Sequence, residues 1–356
     1  MENQETASVV TSQWEPVDAR RLFLGEGARF LGAGFSGAGF SGAGFSGAEL
    51  SGTPADDAAA AGAGVTAVEA EHHFILVDIM DGHLYSTTAE PGSGLTERAR
   101  VSEPLGAVAP LMSPVLGADL ETGGEAVPSW VAAVGEGVVL LGEGGAEGLQ
   151  VLARLGEPAA GRSGVPLRMN DAVADPHGRF WAGAMAYDGD DGQGFLLRLD
   201  PDGSIHIVLE ELAIPNGPAF SADGETMYLS ETTTGWISRF SVDAATGALG
   251  PGEKFVHVSE GGPDGMTVDA EGCLWSAVWG GSCLHRYSPQ GELLERIPVP
   301  VQQPTSIALS AVPPYRVMVT SATQHLESPT RHDGRVITAE VSVAGRPAVS
   351  YIRKHE

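Results

Sequence analysis

The apolar residues of this chain fall in short runs that are bounded by glycine, proline or aspartate. Clear examples are residues 73–79, 226–230 and 274–279, which are rich in β-branched and aromatic side chains. Runs of this length and composition are typical of buried β-strands, and no stretch has the apolar spacing of an amphipathic helix of three or more turns. The pattern therefore predicts an all-β protein.

Two short motifs recur in the second half of the chain at the spacing of propeller blades. The first is a turn of the form Asp-x-x-Gly, or a close variant, followed by a strand with an aromatic residue. It occurs at residues 175–178, 221–224 and 269–272. Its glycines are 46 and then 48 residues apart, which is the length of a four-stranded blade. The second motif marks the next hairpin in each blade and begins at Arg198, Arg239 and Arg286.

A low-complexity segment interrupts the first predicted blade. Residues 32–46 repeat Gly-Ala-Gly-Phe-Ser three times, and a run rich in alanine and glycine continues to Gly64. Such a sequence buries too little surface to offset the entropy lost on ordering it. We therefore interpret residues 31–70 as a disordered surface insertion. The alternative is a binding loop that uses Phe35, Phe40 and Phe45.

Without the insertion, the chain has the length of about six blades of roughly 40 to 50 residues each. Propellers of this size commonly form one unit. We therefore predict one six-bladed β-propeller domain over residues 14–350, with short tails at residues 1–13 and 351–356.

Composition and charge restrict the partners and the location. The 20 basic residues stand against 46 acidic ones, and the formal net charge of −26 repels phosphate backbones and anionic lipid headgroups. We therefore expect no nucleic-acid partner and no membrane association. The acidic N-terminal sequence and the lack of any run of about 18 apolar residues favour a cytoplasmic location. The sequence predicts no oligomeric state.

The cysteines and histidines receive no predicted role. If Gly280-Gly281 is a two-residue hairpin turn, Cys283 lies opposite Val278 and away from Cys273, so we expect no disulfide. The two cysteines also lack the spacing of a zinc pair. No His-x-x-x-His pair and no His/Asp/Ser arrangement indicates a nucleophile system.

The repeat aligns a set of polar residues. Counting eight residues back from each turn glycine gives Asn170, Asn216 and Asp264, while Glu26 and Thr305 match this position in two further blades. Innermost strands line the channel of a propeller, so one repeated position brings its side chains together at one mouth. Each residue alone could be an ordinary turn residue. Two carboxylates and two amides at one position instead predict a central site for one divalent cation, Ca²⁺, Mg²⁺, Mn²⁺ or Zn²⁺.

Two further candidates lie near the predicted channel mouth. Arg168, two residues before Asn170, would lie at the rim. There its guanidinium either binds hydroxyls or a carboxylate of a ligand or forms a surface salt bridge. Asp188 begins the acidic segment 188–192, which lacks the later glutamate of an EF-hand loop. We interpret this segment as a loop near the mouth.

Several motifs, in their order along the chain, resemble one known family. They are Leu24–Gly27, Arg168–Asp171 with Asp175–Arg179, Asn216–Gly217, Pro263–Met266, Leu274–Gly281 and Pro304–Ser306. Over nearly the whole chain outside the insertion they resemble the regucalcin/gluconolactonase family, to which the senescence marker protein belongs. The resemblance implies a six-bladed propeller with one divalent cation held by Glu26, Asn216 and Asp264.

The resemblance also implies roles for the other candidates. Arg168 and Asn170 would bind a sugar, Asp264 would double as the acid/base group, and Asp188 stands where some members have a sugar-contacting glutamate. The implied activity is metal-dependent hydrolysis of an aldonolactone, such as gluconolactone or a pentonolactone, with the cation as Lewis acid and Asp264 as general base. The alternatives are a non-catalytic calcium-binding or ligand-sensing propeller and a propeller esterase or phosphotriesterase. The sequence Ala28-Arg29-Phe30 departs from the family, which usually has a proline and a tryptophan there.

Overall fold

The protein is all-β, as its sequence predicts. The structure, a computed structural model, describes residues 8–31, 72–112, 128–142, 145–154, 165–189 and 192–354. In these ranges the chain forms 25 β-strands and no helix, so no described helix is long and apolar enough to cross a membrane. Apart from Leu31, the predicted insertion at residues 31–70, with Phe35, Phe40 and Phe45, lies outside the described residues.

The strands form six sheets, which we number as blades 1 to 6. Blade 1 contains β2 (Gly25–Phe30), β3 (Phe74–Asp78), β4 (His83–Thr87) and β5 (Thr96–Arg100). Blade 2 contains β6 (Leu105–Met112), β7 (Pro128–Val134), β8 (Gly137–Gly142) and β9 (Gly145–Arg154). Blade 3 contains β10 (Leu167–Ala174), β11 (Phe180–Ala186), β12 (Gly194–Leu199) and β13 (Ile205–Leu212). Blade 4 contains β14 (Pro215–Phe220), β15 (Thr226–Glu231), β16 (Trp236–Ser241) and β17 (Glu253–His257). Blade 5 contains β18 (Gly262–Val268), β19 (Leu274–Trp279), β20 (Cys283–Tyr287) and β21 (Leu293–Pro298). Blade 6 contains β22 (Pro304–Leu309), β23 (Arg316–Ser321), β24 (Ile337–Glu340) and the N-terminal strand β1 (Glu15–Pro16).

The first strand of each blade faces the centre of the molecule. Strands β2, β6, β10, β14, β18 and β22 contact one another in this order and close a ring around a central channel. Apolar clusters fill the spaces between neighbouring blades; between blades 3 and 4, for example, Trp181 packs with Met227 and Phe240. This arrangement confirms the predicted six-bladed β-propeller.

Both ends of the described chain are paired with the blades. Strand β1 is the outermost strand of blade 6, where it pairs with β24. Strand β25 (Tyr351–Ile352) runs parallel to the end of β6, and the buried ring of Tyr351 holds it there. It lies within residues 351–356, for which the sequence predicts only a tail. Val10, in the predicted N-terminal tail, pairs with Val341.

The two motifs of the repeat lie opposite each other in neighbouring strands. In blades 3, 4 and 5 the aromatic residue of the first motif pairs in register with the arginine of the second. These pairs are Trp181 with Arg198, Tyr228 with Arg239 and Trp275 with Arg286. The repeat therefore records a cross-strand contact that three blades share.

The aspartate of the repeated turn organises its blade through hydrogen bonds. In blade 5, Oδ1 of Asp269 accepts from the backbone NH groups of Glu271 and Cys273, both at 2.9 Å. Its Oδ2 accepts from Trp275 Nε1 at 2.8 Å and from Arg286 Nε at 2.9 Å. One buried carboxylate thus joins the turn to the two strands that follow it.

Each innermost strand contains a register shift close to its beginning. Such β-bulges turn side chains out of the regular alternation of a strand. The position that the sequence repeat aligns in five blades lies at or inside the bulge, and so does the corresponding residue of blade 2. The residues there are Glu26, Gly106, Asn170, Asn216, Asp264 and Thr305. Blade 2 has a glycine at this point because a Cβ at Gly106 would collide with the backbone oxygen of Asn170.

Candidate metal and substrate site

The polar residues that the repeat aligns lie together at one mouth of the channel. Glu26, Asn170, Asn216 and Asp264 are all buried although their side chains are polar. The Nδ2 of Asn170 donates to Oδ1 of Asn216 at 2.7 Å, and the carboxylates of Glu26 and Asp264 are close enough to interact electrostatically. The bulges bring the four side chains to one place from four blades.

Thr232 fixes the orientation of the Asn216 amide. Its Oγ1 accepts a hydrogen bond from Asn216 Nδ2 at 2.9 Å and donates one to the backbone oxygen of Pro263 at 2.8 Å. The amide oxygen of Asn216 therefore points away from Thr232, towards Asn170. Since a carbonyl oxygen has two lone pairs, one of them remains for a further ligand. Thr232 was not predicted as a site residue, because it lies outside the repeated position.

A third buried carboxylate, that of Asp171, lies beside the two acids. It forms an ion pair with Arg29 of blade 1, with Nη2 to Oδ1 at 3.0 Å, and Arg29 also donates to the backbone oxygen of Ala172 at 2.7 Å. The interaction joins blades 1 and 3 across the channel. Arg29 had no predicted role, and its guanidinium provides a positive charge beside the three carboxylates.

The electrostatics of the two central acids follow from burial and crowding. Removal from water, together with the nearby carboxylates of Asp264 and Asp171, raises the pKa of Glu26 well above its ordinary value. Burial and Asp171 raise the pKa of Asp264 well above its own ordinary value. Arg29 opposes the effect of burial on Asp171, whose pKa is nevertheless raised. Without an added positive charge, the protein therefore disfavours the simultaneous ionisation of the three carboxyl groups.

The unpaired oxygen atoms fit a divalent cation. Among the described residues, Glu26 Oε2, Asp264 Oδ1 and Asp171 Oδ2 are buried and have no hydrogen-bond partner. Buried polar atoms usually have partners, and a cation would supply the missing one for several of these oxygens at once. Carboxylate and amide oxygens are hard ligands of the kind that Ca²⁺, Mg²⁺ and Mn²⁺ prefer. The residues present are thus suited to a divalent cation held by Glu26, Asn216 and Asp264.

The other predicted residues occupy three different environments. Arg168 is buried beside the site, where Nη1 donates to Asn170 Oδ1 at 2.9 Å; it forms no surface salt bridge among the described residues. Asp188 is exposed in the turn after β11, at the end of blade 3 where β10 begins. Thr305 donates to the backbone oxygen of Gly25 at 2.5 Å, so its hydroxyl supports the strand that carries Glu26. Asp190 and Asp191 lie outside the described residues.

A separate cavity of about 430 Å³ opens at the other end of the channel. Its walls are the distal ends of the innermost strands, among them Phe30, Phe220 and Leu309, together with residues 345–349. Arg29 lines this cavity and also binds Asp171. The ion pair therefore separates the carboxylate site from the apolar end of the channel.

The pKa shifts predict how a Glu26→Gln substitution changes stability in chelator-treated protein. A folded-state pKa above the unfolded value means that the folded protein binds more protons, so the contribution of Glu26 to stability falls as pH rises above about 4.3. The variant lacks this loss. Its free energy of unfolding relative to the wild type should therefore increase between pH 5 and pH 8, as measured by urea denaturation. A constant difference across that range would contradict the raised pKa.

Comparison with known proteins agrees with the fold. Residues 61–323 match the SMP-30/gluconolactonase/LRE-like region. The chain belongs to this family. It is similar to pentonolactonase XacC of Haloferax volcanii, with 38% identity over 192 residues, which is 51% of this chain and 65% of that protein. It is also similar to 6-deoxy-6-sulfogluconolactonase of Pseudomonas putida, with 32% identity over 61% of this chain and 74% of the relative.

Among solved structures, a calcium-binding protein, regucalcin, from Agrobacterium tumefaciens superposes with a TM-score of 0.72 at 25% identity. That comparison covers 97% of this chain and 99% of the other. The alignment with the Haloferax relative, in contrast, spans less than two thirds of the relative's length. The family and the propeller fold are thus established.

Proposed function

We propose that this protein hydrolyses a sugar lactone to its aldonic acid in a reaction that requires a divalent cation. The observation that carries the proposal is the meeting of the unpaired carboxylate oxygens of Glu26 and Asp264 with the buried Arg168–Asn170 pair at one mouth of the channel. Relatives in the same family bear the names pentonolactonase and 6-deoxy-6-sulfogluconolactonase. The names of these relatives therefore favour an aldonolactone as the substrate of this chain.

In this proposal Glu26, Asn216 and Asp264 hold the cation, which when bound would polarise the lactone carbonyl and stabilise the developing oxyanion. Asp264 has the further role of general base. Its carboxylate takes a proton from the attacking water, the ring C–O bond breaks after attack at the carbonyl carbon, and the ring oxygen leaves as a hydroxyl with that proton. A buried position suits this role because the surrounding protein keeps the carboxylate away from competing solvent.

Arg168 and Asn170 would orient the sugar. The guanidinium of Arg168 presents several donors in a fixed plane, and its contact with Asn170 fixes both side chains at the mouth. Asp188 would reach substrate hydroxyls from the exposed turn above the same end of blade 3. A cytoplasmic location remains a prediction from the sequence.

The proposal is tested by removing the metal and adding it back. Protein stripped with a chelator should release no acid from gluconolactone or pentonolactones above the spontaneous rate. Turnover should return with at least one of Ca²⁺, Zn²⁺, Mn²⁺ or Mg²⁺, and the most effective ion would indicate the native cation. The Glu26→Gln variant, which lacks one proposed ligand carboxylate, should require a higher concentration of the same ion for half-maximal turnover.

Two results would contradict the proposal. Tight cation binding by calorimetry without turnover of any lactone would favour a binding or sensing propeller. Preferential hydrolysis of aryl esters or phosphotriesters would favour an esterase.

A further inference from the structure

Three side chains that commonly bind metals meet in blade 5, outside the channel site. Cys283 and His285 are two residues apart in β20, so both side chains lie on one face of the sheet. Glu260 approaches from the segment before β18. The Sγ of Cys283 lies 3.7 Å from His285 Nε2, and Oε1 of Glu260 lies 2.7 Å from the same nitrogen. The three ligand atoms lie within 4.8 Å of one another.

The geometry is that of ligands around one point rather than of a catalytic relay. In a cysteine–histidine–carboxylate nucleophile system, the thiol and the carboxylate contact opposite nitrogens of the imidazole ring. Here both contact Nε2, while Nδ1 contacts the hydroxyl of Tyr287 at 2.6 Å. Sulfur, nitrogen and oxygen therefore converge on one side of the ring.

The outer contacts of this cluster resemble those that orient metal ligands. Histidine ligands usually bond through their second nitrogen to another polar group, and Tyr287 provides that bond. The second oxygen of Glu260 is fixed by Arg296, with Nε to Oε2 at 2.7 Å. Cys283 and His285 are buried, whereas the Glu260 side chain is 37% exposed, which gives an ion access from solvent.

We propose that Glu260, Cys283 and His285 form a second cation site that binds Zn²⁺. A thiolate, an imidazole and a carboxylate are the ligand types that zinc prefers, and three protein ligands leave a fourth position for water. The oxygen-only site in the channel is chemically different. This site was not predicted from the sequence, because the two cysteines do not form a zinc pair and Glu260 is 23 residues before Cys283.

Binding can be written with its protons balanced. Without an ion, burial and Glu260 raise the pKa of Cys283 to about 11, so the thiol is protonated at neutral pH. Zinc binding releases that one proton to solvent. The imidazole binds the ion through Nε2 as a neutral ring that carries its hydrogen on Nδ1, where the oxygen of Tyr287 accepts it. The exposed Glu260 side chain shifts from its hydrogen-bonding distance to make room for the ion.

A second cluster of the same kind differs in how its ligand atoms are already bonded. Asp269, Glu271 and Cys273 also place three ligand atoms within 4.8 Å. In that cluster Arg286 contacts both carboxylates, with Nε 2.9 Å from Asp269 and Nη2 2.6 Å from Glu271. In the proposed site Arg296 contacts Oε2 of Glu260, and Oε1 faces His285. Both oxygens of Asp269 are further occupied by backbone and Trp275 donors. Cys273 is therefore a matched control for Cys283.

Cobalt substitution tests the proposal independently of lactone hydrolysis. Co²⁺ added to reduced, metal-free, full-length protein should produce a thiolate-to-cobalt charge-transfer band in the near ultraviolet and intense visible bands of a tetrahedral ion. Zn²⁺ should abolish both. The bands should persist in Cys273→Ser and in Glu26→Gln, and they should be absent in Cys283→Ser.

The exposed residue Glu260 keeps the test decisive if Cys283→Ser is poorly folded. Glu260→Gln should retain the melting temperature and weaken Co²⁺ binding by about tenfold or more, a loss typical of impaired metal coordination. The absence of a charge-transfer band in the wild type at saturating Co²⁺ would overturn the proposal. So would an unchanged band in folded Cys283→Ser, or unchanged Co²⁺ affinity in Glu260→Gln.

Discussion

Replacing Asp264 by asparagine is expected to lower kcat/KM for an aldonolactone by about 1,000-fold or more. The substitution removes the proposed proton acceptor and one of the two carboxylates that face the cation position, while the amide preserves the size of the side chain. The backbone oxygen of Asp264, which accepts from Ser230 Oγ at 3.1 Å, is unaffected, so the fold should persist. Steady-state kinetics at saturating cation should show most of the loss in kcat.

The matched control for this variant is Asp223→Asn. Asp223 lies in the exposed turn of blade 4 and accepts a hydrogen bond from Ser221 at 2.6 Å, so the same chemical change occurs far from the channel mouth. Its kinetics should equal those of the wild type. Because a general base contributes about 100-fold or more, an Asp264→Asn enzyme within tenfold of wild-type kcat/KM would exclude Asp264 from that role.

The second large effect concerns stability, and it arises at Asp269. Its replacement by alanine is expected to lower the free energy of unfolding by about 3 to 5 kcal/mol, the usual cost of leaving a buried charge without its partner. The indole NH of Trp275 would lose its acceptor inside blade 5, and Arg286 would lose its buried carboxylate partner and keep only the exposed Glu271. Urea denaturation of chelator-treated protein would measure the change in the free energy of unfolding without a contribution from bound metal.

Asp223 again provides the comparison, because it belongs to the equivalent turn of blade 4. It is exposed and bonds only within its own turn among the described residues. Asp223→Ala should therefore cost about 1 kcal/mol or less. Equal destabilisation of the two variants would show that the turn itself, and not the buried bonds to Trp275 and Arg286, determines the contribution of this motif.

The repeat allowed the fold and the arrangement of the central residues to be predicted from the sequence. A propeller repeats one local structure at a constant radius, so residues at one phase of the repeat, such as Asn170, Asn216 and Asp264, must occupy equivalent places. The spacing of Trp181, Tyr228 and Trp275 relative to the later arginines has the same origin, since these residues pair across strands. Periodicity was thus sufficient to predict site residues that occupy the same position in several blades.

Features that break the repeat could not be predicted in this way. Asp171 reaches the site because the bulge in β10 lets two consecutive residues leave the strand alternation, and a bulge has no simple sequence signal. Its partner Arg29 is 142 residues away along the chain. The zinc ligands Glu260 and His285 occur in one blade only, so no periodic comparison could align them. Blade 2 carries Gly106 at the repeated position and therefore offered no side chain to recognise.

The pairing of both chain ends has a consequence for synthesis on the ribosome. Strand β1 emerges early, but its partner β24 is made about 320 residues later, a delay on the order of tens of seconds at about 5–20 residues per second. Blade 2 likewise waits for β25 before its inner strand is covered. A nascent chain that stalls before residue 337 would thus have unpaired strand edges in two separate blades.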